Sequence, residues 1–272
     1  MHTPVKYLII PLFIALLSSC EKAINLKLKD TTPQYVVEGV LTNQSGGCKV
    51  TLSQTKNFTD NNDVIGIDGA QVSIADDNTV YPLTPGGAGV YQNSTLKGAY
   101  GHIYRLSVTI AGKSFTSTCA MRAAVALDSI YLVKSDFGDN KDGTVRKYVT
   151  VKYHDPAATK DYYRFVQYVN NRKEESVLLD NDEFTNGQEV NTRLNFNNDN
   201  DDPARDIRPG NQVTIEMQCI DPAVYKYFFS LTTGATGDGN NAAPANPLSN
   251  IVGGALGYFS VHTVQRKTLT AP

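Results

Sequence analysis

The chain has 272 residues, a formal net charge of −2, 41% hydrophobic residues, no Trp and 15 Tyr. The near-neutral balance excludes a strongly basic nucleic-acid binder, and the length allows one large or two small domains. Frequent Tyr, Thr and Val suit half-buried strands, while plentiful Gly, Asn and Asp supply turns.

At the N-terminus, Lys6 precedes an apolar run from Tyr7 to Leu17, and Leu17-Ser18-Ser19-Cys20 follows. A basic start, a short apolar core and small residues describe a secretory signal peptide. The run is too short to span a bilayer, which takes about 20 residues. The last four residues resemble the lipobox of bacterial lipoproteins. That resemblance implies cleavage before Cys20, lipid attachment to the Cys20 thiol, and a membrane anchor in which each buried methylene contributes about 0.8 kcal/mol. The alternative is an ordinary signal peptide with a chance cysteine. Residues 1–19 are read as the signal peptide and 20–29 as a lipidated tether.

Strand signals then come at short intervals. Tyr35 to Thr42 is extended and β-branched. Cys48, Val50 and Leu52 share one face of an alternating run, and Ala70, Val72 and Ile74 alternate after the turn signal Asp68-Gly69. Val80–Leu83, Gly89–Tyr91, Tyr104–Ile110 and Phe115–Met121 complete the first set. About seven short strands separated by turns predict an antiparallel sandwich over 30–122. The segments Gly69–Ile74, Gly89–Tyr91 and Tyr104–Val108 resemble transthyretin-like and carboxypeptidase-regulatory modules, which implies fold only.

Ala123–Ala126 reads as a junction to a second β-rich module over 124–272. Strands are predicted at Ser129–Lys134, Tyr148–Tyr153, Tyr162–Val169, Ser176–Leu179, Glu189–Phe196 and Gln212–Ile220. One helix follows: Asp221 is a good N-cap, Pro222 fits the first position, and Val224, Tyr227, Phe228 and Leu231 form one stripe. Gly234 ends it. A Gly-, Asn- and Ala-rich loop leads to a last strand from Leu256 to about Gln265. The expected fold is therefore mainly β: two antiparallel sandwich-like modules, with one short helix in the second.

Little in the sequence marks chemistry. Cys48, Cys119 and Cys219 lie on apolar sides of alternating runs and read as small buried hydrophobes, with a Cys48–Cys119 bridge left open. His102, His154 and His262 fall in or near different strands, without the spacing that places two on one metal. No Gly-x-Ser-x-Gly elbow or phosphate-cradling loop is present. Three acidic runs carry oxygen ligands of the kind Ca²⁺ takes: Asn197–Asp202, Asp180–Glu183 and Asp136–Gly143. The third fails as a calcium loop, because Gly138 falls where the first ligand belongs. Solvated hairpin loops explain all three, and no catalytic residue, metal or cofactor is assigned.

Asn246-Pro247-Leu248-Ser249-Asn250-Ile251-Val252-Gly253-Gly254-Ala255-Leu256-Gly257-Tyr258-Phe259, with Tyr35–Gly39, Asp155-Pro156 leading to Tyr162–Phe165, and Asn186–Val190, resembles a Bacteroidota lipoprotein family catalogued as a domain of unknown function, number four-two-four-nine. The similarity covers roughly residues 20–268. It implies no activity and no catalytic residues. It implies an outer-membrane lipoprotein, often encoded beside TonB-dependent receptors. Read bottom-up, the three glycines of 253–257 permit positive φ or close backbone approach, as a bulge or tight turn into the last strand or as part of a docking surface. The expected function is a non-enzymatic accessory or ligand-capture partner of a TonB-dependent transporter, anchored in the outer membrane through Cys20. The runner-up is an envelope hydrolase acting on glycan or peptide, and a third reading is a structural surface protein.

Overall fold

The structure, a computed structural model, describes residues 32–56, 64–136, 138–196, 202–234 and 245–272. Apart from Thr32 they lie in one compact unit, Pro33–Lys56 with Asn61–Pro272. The signal peptide, Cys20, the tether, Asn197–Asp201 and the loop at 235–244 lie outside the described residues.

The first half of the chain forms β1 (Tyr35–Thr42), β2 (Cys48–Gln54), β3 (Ile65–Gly66), β4 (Gln71–Asp76), β5 (Thr79–Pro82), β6 (Thr84–Gly87), β7 (Val90–Asn93), β8 (Ile103–Ile110) and β9 (Lys113–Ala120). The second half forms β10 (Leu127–Lys134), β11 (Lys147–His154), β12 (Tyr162–Val169), β13 (Arg172–Lys173), β14 (Leu178–Asn181), β15 (Glu189–Leu194) and β16 (Gln212–Cys219). Helix α1 (Pro222–Gly234) and β17 (Leu256–Thr270) close the chain. The fold is mainly β with a single α-helix among the described residues.

Among the described residues, three sheets build two cores. The four-stranded sheet β5-β4-β8-β9 and the three-stranded sheet β10-β11-β15 are separate. A ten-stranded sheet, in the order β13-β12-β16-β17-β1-β2-β7-β6 with β3 and β14 paired to β2 and β12, is common to both halves. The first core joins Val37, Leu41, Val50, Ile74, Leu106 and Phe259. The second joins Val149, Val151, Tyr163, Phe165, Ile215 and Met217. Each such side chain contributes roughly 1.5–3 kcal/mol when fully buried, so either core outweighs any surface ion pair.

The link between the halves is β17, which changes partner along its length. Leu256–His262 run parallel to β1, in register Val36↔Leu256 through Thr42↔His262. Thr263–Thr270 run antiparallel to β16. The pairing is antiparallel as expected, with one exception among the described strands: β1 and β17 run parallel, because the chain returns to β1 only after traversing the whole second half, and parallel neighbours need such a crossover. The last strand also runs to Thr270 rather than stopping near Gln265, carried on by its ladder with β16. The coil between β9 and β10 contains the junction read from the sequence, yet residues 256–262 belong to the first core's sheet. Helix α1 crosses in the same sense. Asp221 Oδ1 accepts from the Ala223 amide at 2.9 Å, and the stripe Val224, Tyr227 and Phe228 packs into the first core, with partly buried Leu231 against it.

The glycine-rich lead-in to β17 is a joint. Asn250 Nδ2 donates to the Phe259 carbonyl at 2.9 Å, and its Oδ1 accepts from the Phe259 amide at 2.8 Å. Ser249 Oγ donates to the Gly257 carbonyl at 2.7 Å. Val252 bridges to Thr116 on β9. Gly257 has φ +98°, and a Cβ there would collide with the Val37 carbonyl, so only glycine lets the two strands close.

Candidate functional site

On a strand, residues i and i+2 share a face. Phe259 and Val261 enter the first core, and the alternate residues Tyr258, Ser260, His262, Val264 and Arg266 line a groove of about 410 Å³. β12 adds Arg164, Val166 and Tyr168, β16 adds Glu216 and Gln218, and the β1–β2 hairpin adds Val40, Thr42 and Lys49. The groove thus lies across the place where β17 exchanges one partner strand for the other. Its volume is within the range of small-molecule sites.

The floor is polar and buried. Ser260, His262, Gln218 and Glu216 are 2%, 3%, 5% and 6% exposed, so each must find partners inside the protein. Ser260 Oγ and His262 Nδ1 are 2.7 Å apart. Burial pushes the His262 imidazole down to about 4, which keeps it neutral near neutral pH. Glu216 Oε2 accepts from Arg266 Nε at 2.9 Å and from an Arg266 Nη at 2.6 Å. Glu216 Oε1 accepts from the Gln218 amide. Arg164 donates to Gln218 Oε1 at 3.1 Å, and its guanidinium carbon sits 4.1 Å from the centre of the Phe228 ring. Burial lowers the pKa of Arg164, and burial together with the nearby Arg164 charge lowers that of Lys173 on the groove wall.

A nucleophilic serine needs reach to substrate and a base that a third group orients. Ser260 is buried, and among the described residues no carboxylate hydrogen-bonds the His262 ring. The floor is built to hold polar groups in place.

A second charged cluster lies in the other half. Asp155, Asp161 and Asp182 are 0%, 3% and 3% exposed, and each offers an oxygen within 4.8 Å of the others, so these three are the buried residues that could hold a cation. The protein supplies donors to them. Tyr163 Oη donates to Asp155 Oδ1, the Gly187 amide donates to Asp155 Oδ2 at 3.4 Å, Thr159 Oγ1 donates to Asp161, and the Asp161 amide donates to Asp182 Oδ2 at 2.8 Å. Arg122 is 3.7 Å from Asp161 Oδ1. Burial first, and the charges of Asp182 and Asp161 next, raise the pKa of Asp155. A group of partly buried Asp76 with exposed Asp77 and His102 is the other such cluster among the described residues. There His102 Nδ1 lies 2.9 Å from Asp76, which raises the imidazole pKa.

Of the residues singled out in the sequence, Cys20 lies outside the described residues. Cys48, Cys119 and Cys219 are free and buried, so no Cys48–Cys119 bridge forms, and burial lifts the Cys48 and Cys119 thiols to about 11 and about 12. His154 is exposed. In the acidic runs, Asp136 and Asp142 pair with Arg193 and Arg208. Asp180 accepts from Tyr153 Oη and Thr192 Oγ1. Asp202 accepts from the Ala204 amide and pairs with Arg172. Asp182 alone of them joins a carboxylate cluster. The groove was missed. Its sequence signal is the polar face Tyr258-x-Ser260-x-His262 on a strand whose other face is apolar.

A double β-sandwich built on a shared sheet, with one polar groove across the joint, is the class this architecture defines. The sequence matches the family described as "Domain of unknown function (DUF4249)" over residues 21–268, and the chain belongs to that family. No curated protein matches it. Among solved structures, a chain described as "Cytokine receptor complex - Crystal form 1A" aligns with TM-score 0.26 and 11% identity, over 86% of this chain and 94% of that one, a likeness too distant to carry an argument. The segments on which the family resemblance rests meet at structural joints. Asp155, Tyr163 and Gly187 converge through the hydrogen bonds above, and Tyr35–Gly39 pairs with the lead-in and start of β17.

Proposed function

We propose that this protein is a non-enzymatic binding protein of the cell envelope, anchored through Cys20 in the outer membrane, that captures a small ligand and works beside a TonB-dependent receptor. The observation that carries the reading is the groove, a cavity of ligand size with a buried, hydrogen-bonded floor and a cationic wall. Pre-formed clefts with a few fixed polar groups are the usual form of a small-molecule site. The Leu17–Cys20 sequence supports the anchor, and confinement of both proteins to one membrane raises their effective concentration, so a weak contact suffices. No helix among the described residues is long and apolar enough to cross a membrane.

Crosslinking in intact cells tests the partner. Wild-type protein should recover a large β-barrel receptor, and Cys20→Ala should lose both acyl labelling and that recovery. Recovery of no transporter by the wild type overturns the partner, and normal maturation of Cys20→Ala overturns the anchor. Turnover of glycan, ester or peptide substrates that is abolished by Ser260→Ala would show an enzyme instead.

A further inference from the structure

The groove's charges do not balance. Arg164, Lys49, Lys173 and Arg266 line it, against the single lining carboxylate of Glu216. Glu216 is already engaged by Arg266. Arg164 spends one N–H on the neutral amide of Gln218, and its Nε is buried with no hydrogen-bond partner. Among the described residues, neither Lys49, Arg164 nor Lys173 forms an ion pair. Exposed Glu38, close enough to act on Lys173, offsets part of this surplus but does not remove it. Holding the partly buried Arg164 without a counter-charge is costly, and an open volume of about 410 Å³ beside it, with the exposed Lys49 and Lys173 on its walls, leaves room for the counter-charge to arrive from outside.

We infer that the groove takes a small anionic molecule, bearing a carboxylate or a phosphate, with Arg164 as the anchoring donor and Lys173 and Lys49 completing its charge. A planar guanidinium matches both anion types with paired N–H donors. Phe228 on one face of Arg164 holds the guanidinium plane. Tyr168 and Tyr258 supply ring surfaces on the flanks, and the Gln218 amide offers hydrogen bonding to hydroxyls of the same molecule. The inference rests on the binding-protein reading above and names the ligand class for that groove.

Titration calorimetry on the mature protein tests it, with D-glucuronate, inorganic phosphate and glucose 6-phosphate as anionic probes and D-glucose as the neutral control. Saturable binding of an anion and none of glucose is expected, with the better probe deciding between carboxylate and phosphate. Arg164→Gln should weaken that binding about tenfold, the effect of losing one charge-assisted partner. Because Arg164 is partly buried and packed on Phe228, the double variant Lys49→Gln/Lys173→Gln, at two exposed positions, provides an independent check, and it should weaken binding several-fold while melting at the wild-type temperature. Equal binding of glucose, no saturable anion binding, or a double variant that binds as the wild type overturns the inference. Receptor crosslinking of the double variant separates the two readings. Failed anion binding with receptor capture intact overturns the ligand class alone, and lost capture with anion binding intact overturns the partner alone.

Discussion

Two regions gather unbalanced charge, and they do it with opposite sign. The groove holds four cations around one carboxylate and opens on a volume of ligand size. The cluster of Asp155, Asp161 and Asp182 holds three carboxylates beside one guanidinium, and hydroxyl and amide donors of the protein already contact each of its members. Unbalanced charge marks a place for a partner only where the chain has left room and unspent hydrogen bonds. By that measure the groove is arranged for something to bind, and the aspartate cluster ties the loops around β12, β14 and β15 together.

Acid provides the largest test of the difference. The His262 imidazole, held at about 4 by burial, lies below its ordinary value of 6.5. As pH falls, the unfolded chain takes up that proton first, so stability present above about pH 6.5 is lost between there and pH 4. Linkage puts the loss at about 3 kcal/mol. Urea denaturation of His262→Asn across this window should show a shallower decline than wild type by about that amount, and parallel curves would mean that His262 is not held neutral. A smaller effect is expected at the groove's one carboxylate. Glu216→Gln leaves Arg266 without its charge partner, at a cost of about 2 kcal/mol, below the full value for a buried pair because Arg266 is half exposed. A midpoint in urea unchanged from wild type would count against the network. The smallest concerns the aspartates. Arg122→Gln should cost about 1 kcal/mol, and the cost should shrink in an Asp161→Asn background. A double-mutant cycle with no coupling would show that Arg122 acts through its hydrogen bond to the Lys160 carbonyl alone.

Much of the fold was legible because side-chain alternation is local. Tyr162–Val169 is β12 residue for residue, Gln212–Ile220 overshoots β16 by one residue, and Asp221-Pro222 starts α1 as its capping chemistry requires. The cysteines are buried and unbridged, as their places on apolar faces suggest. What alternation does not carry is pairing. The partners of β17 are β1, more than 200 residues away in the first half, and β16, on the far side of α1 in the second. Short strands such as β3, β6 and β13 are defined by the neighbour each pairs with, without a pattern of their own. The groove was hidden for the same reason. It is assembled from alternate residues of β12, β16 and β17, and no contiguous run of sequence spells it out. The aspartate cluster likewise unites Asp155, Asp161 and Asp182 from separate turns, of which only Asp182 lay in a run dense in acidic residues.

The double pairing of β17 also sets an order of events in biogenesis. A chain made from its N-terminus delivers β1 early, but the strand that lies beside β1 emerges only after β10 to β16 and α1. Until residues 256–262 arrive, β1 presents an unpaired edge with Val37 and Leu41 poorly covered, the kind of surface on which nascent chains aggregate. The first sandwich cannot finish ahead of the second, so the two mature together. A chain truncated before Leu256 would lose Phe259 and Val261 from its first core as well as β17 itself, which makes this one strand a checkpoint for both halves.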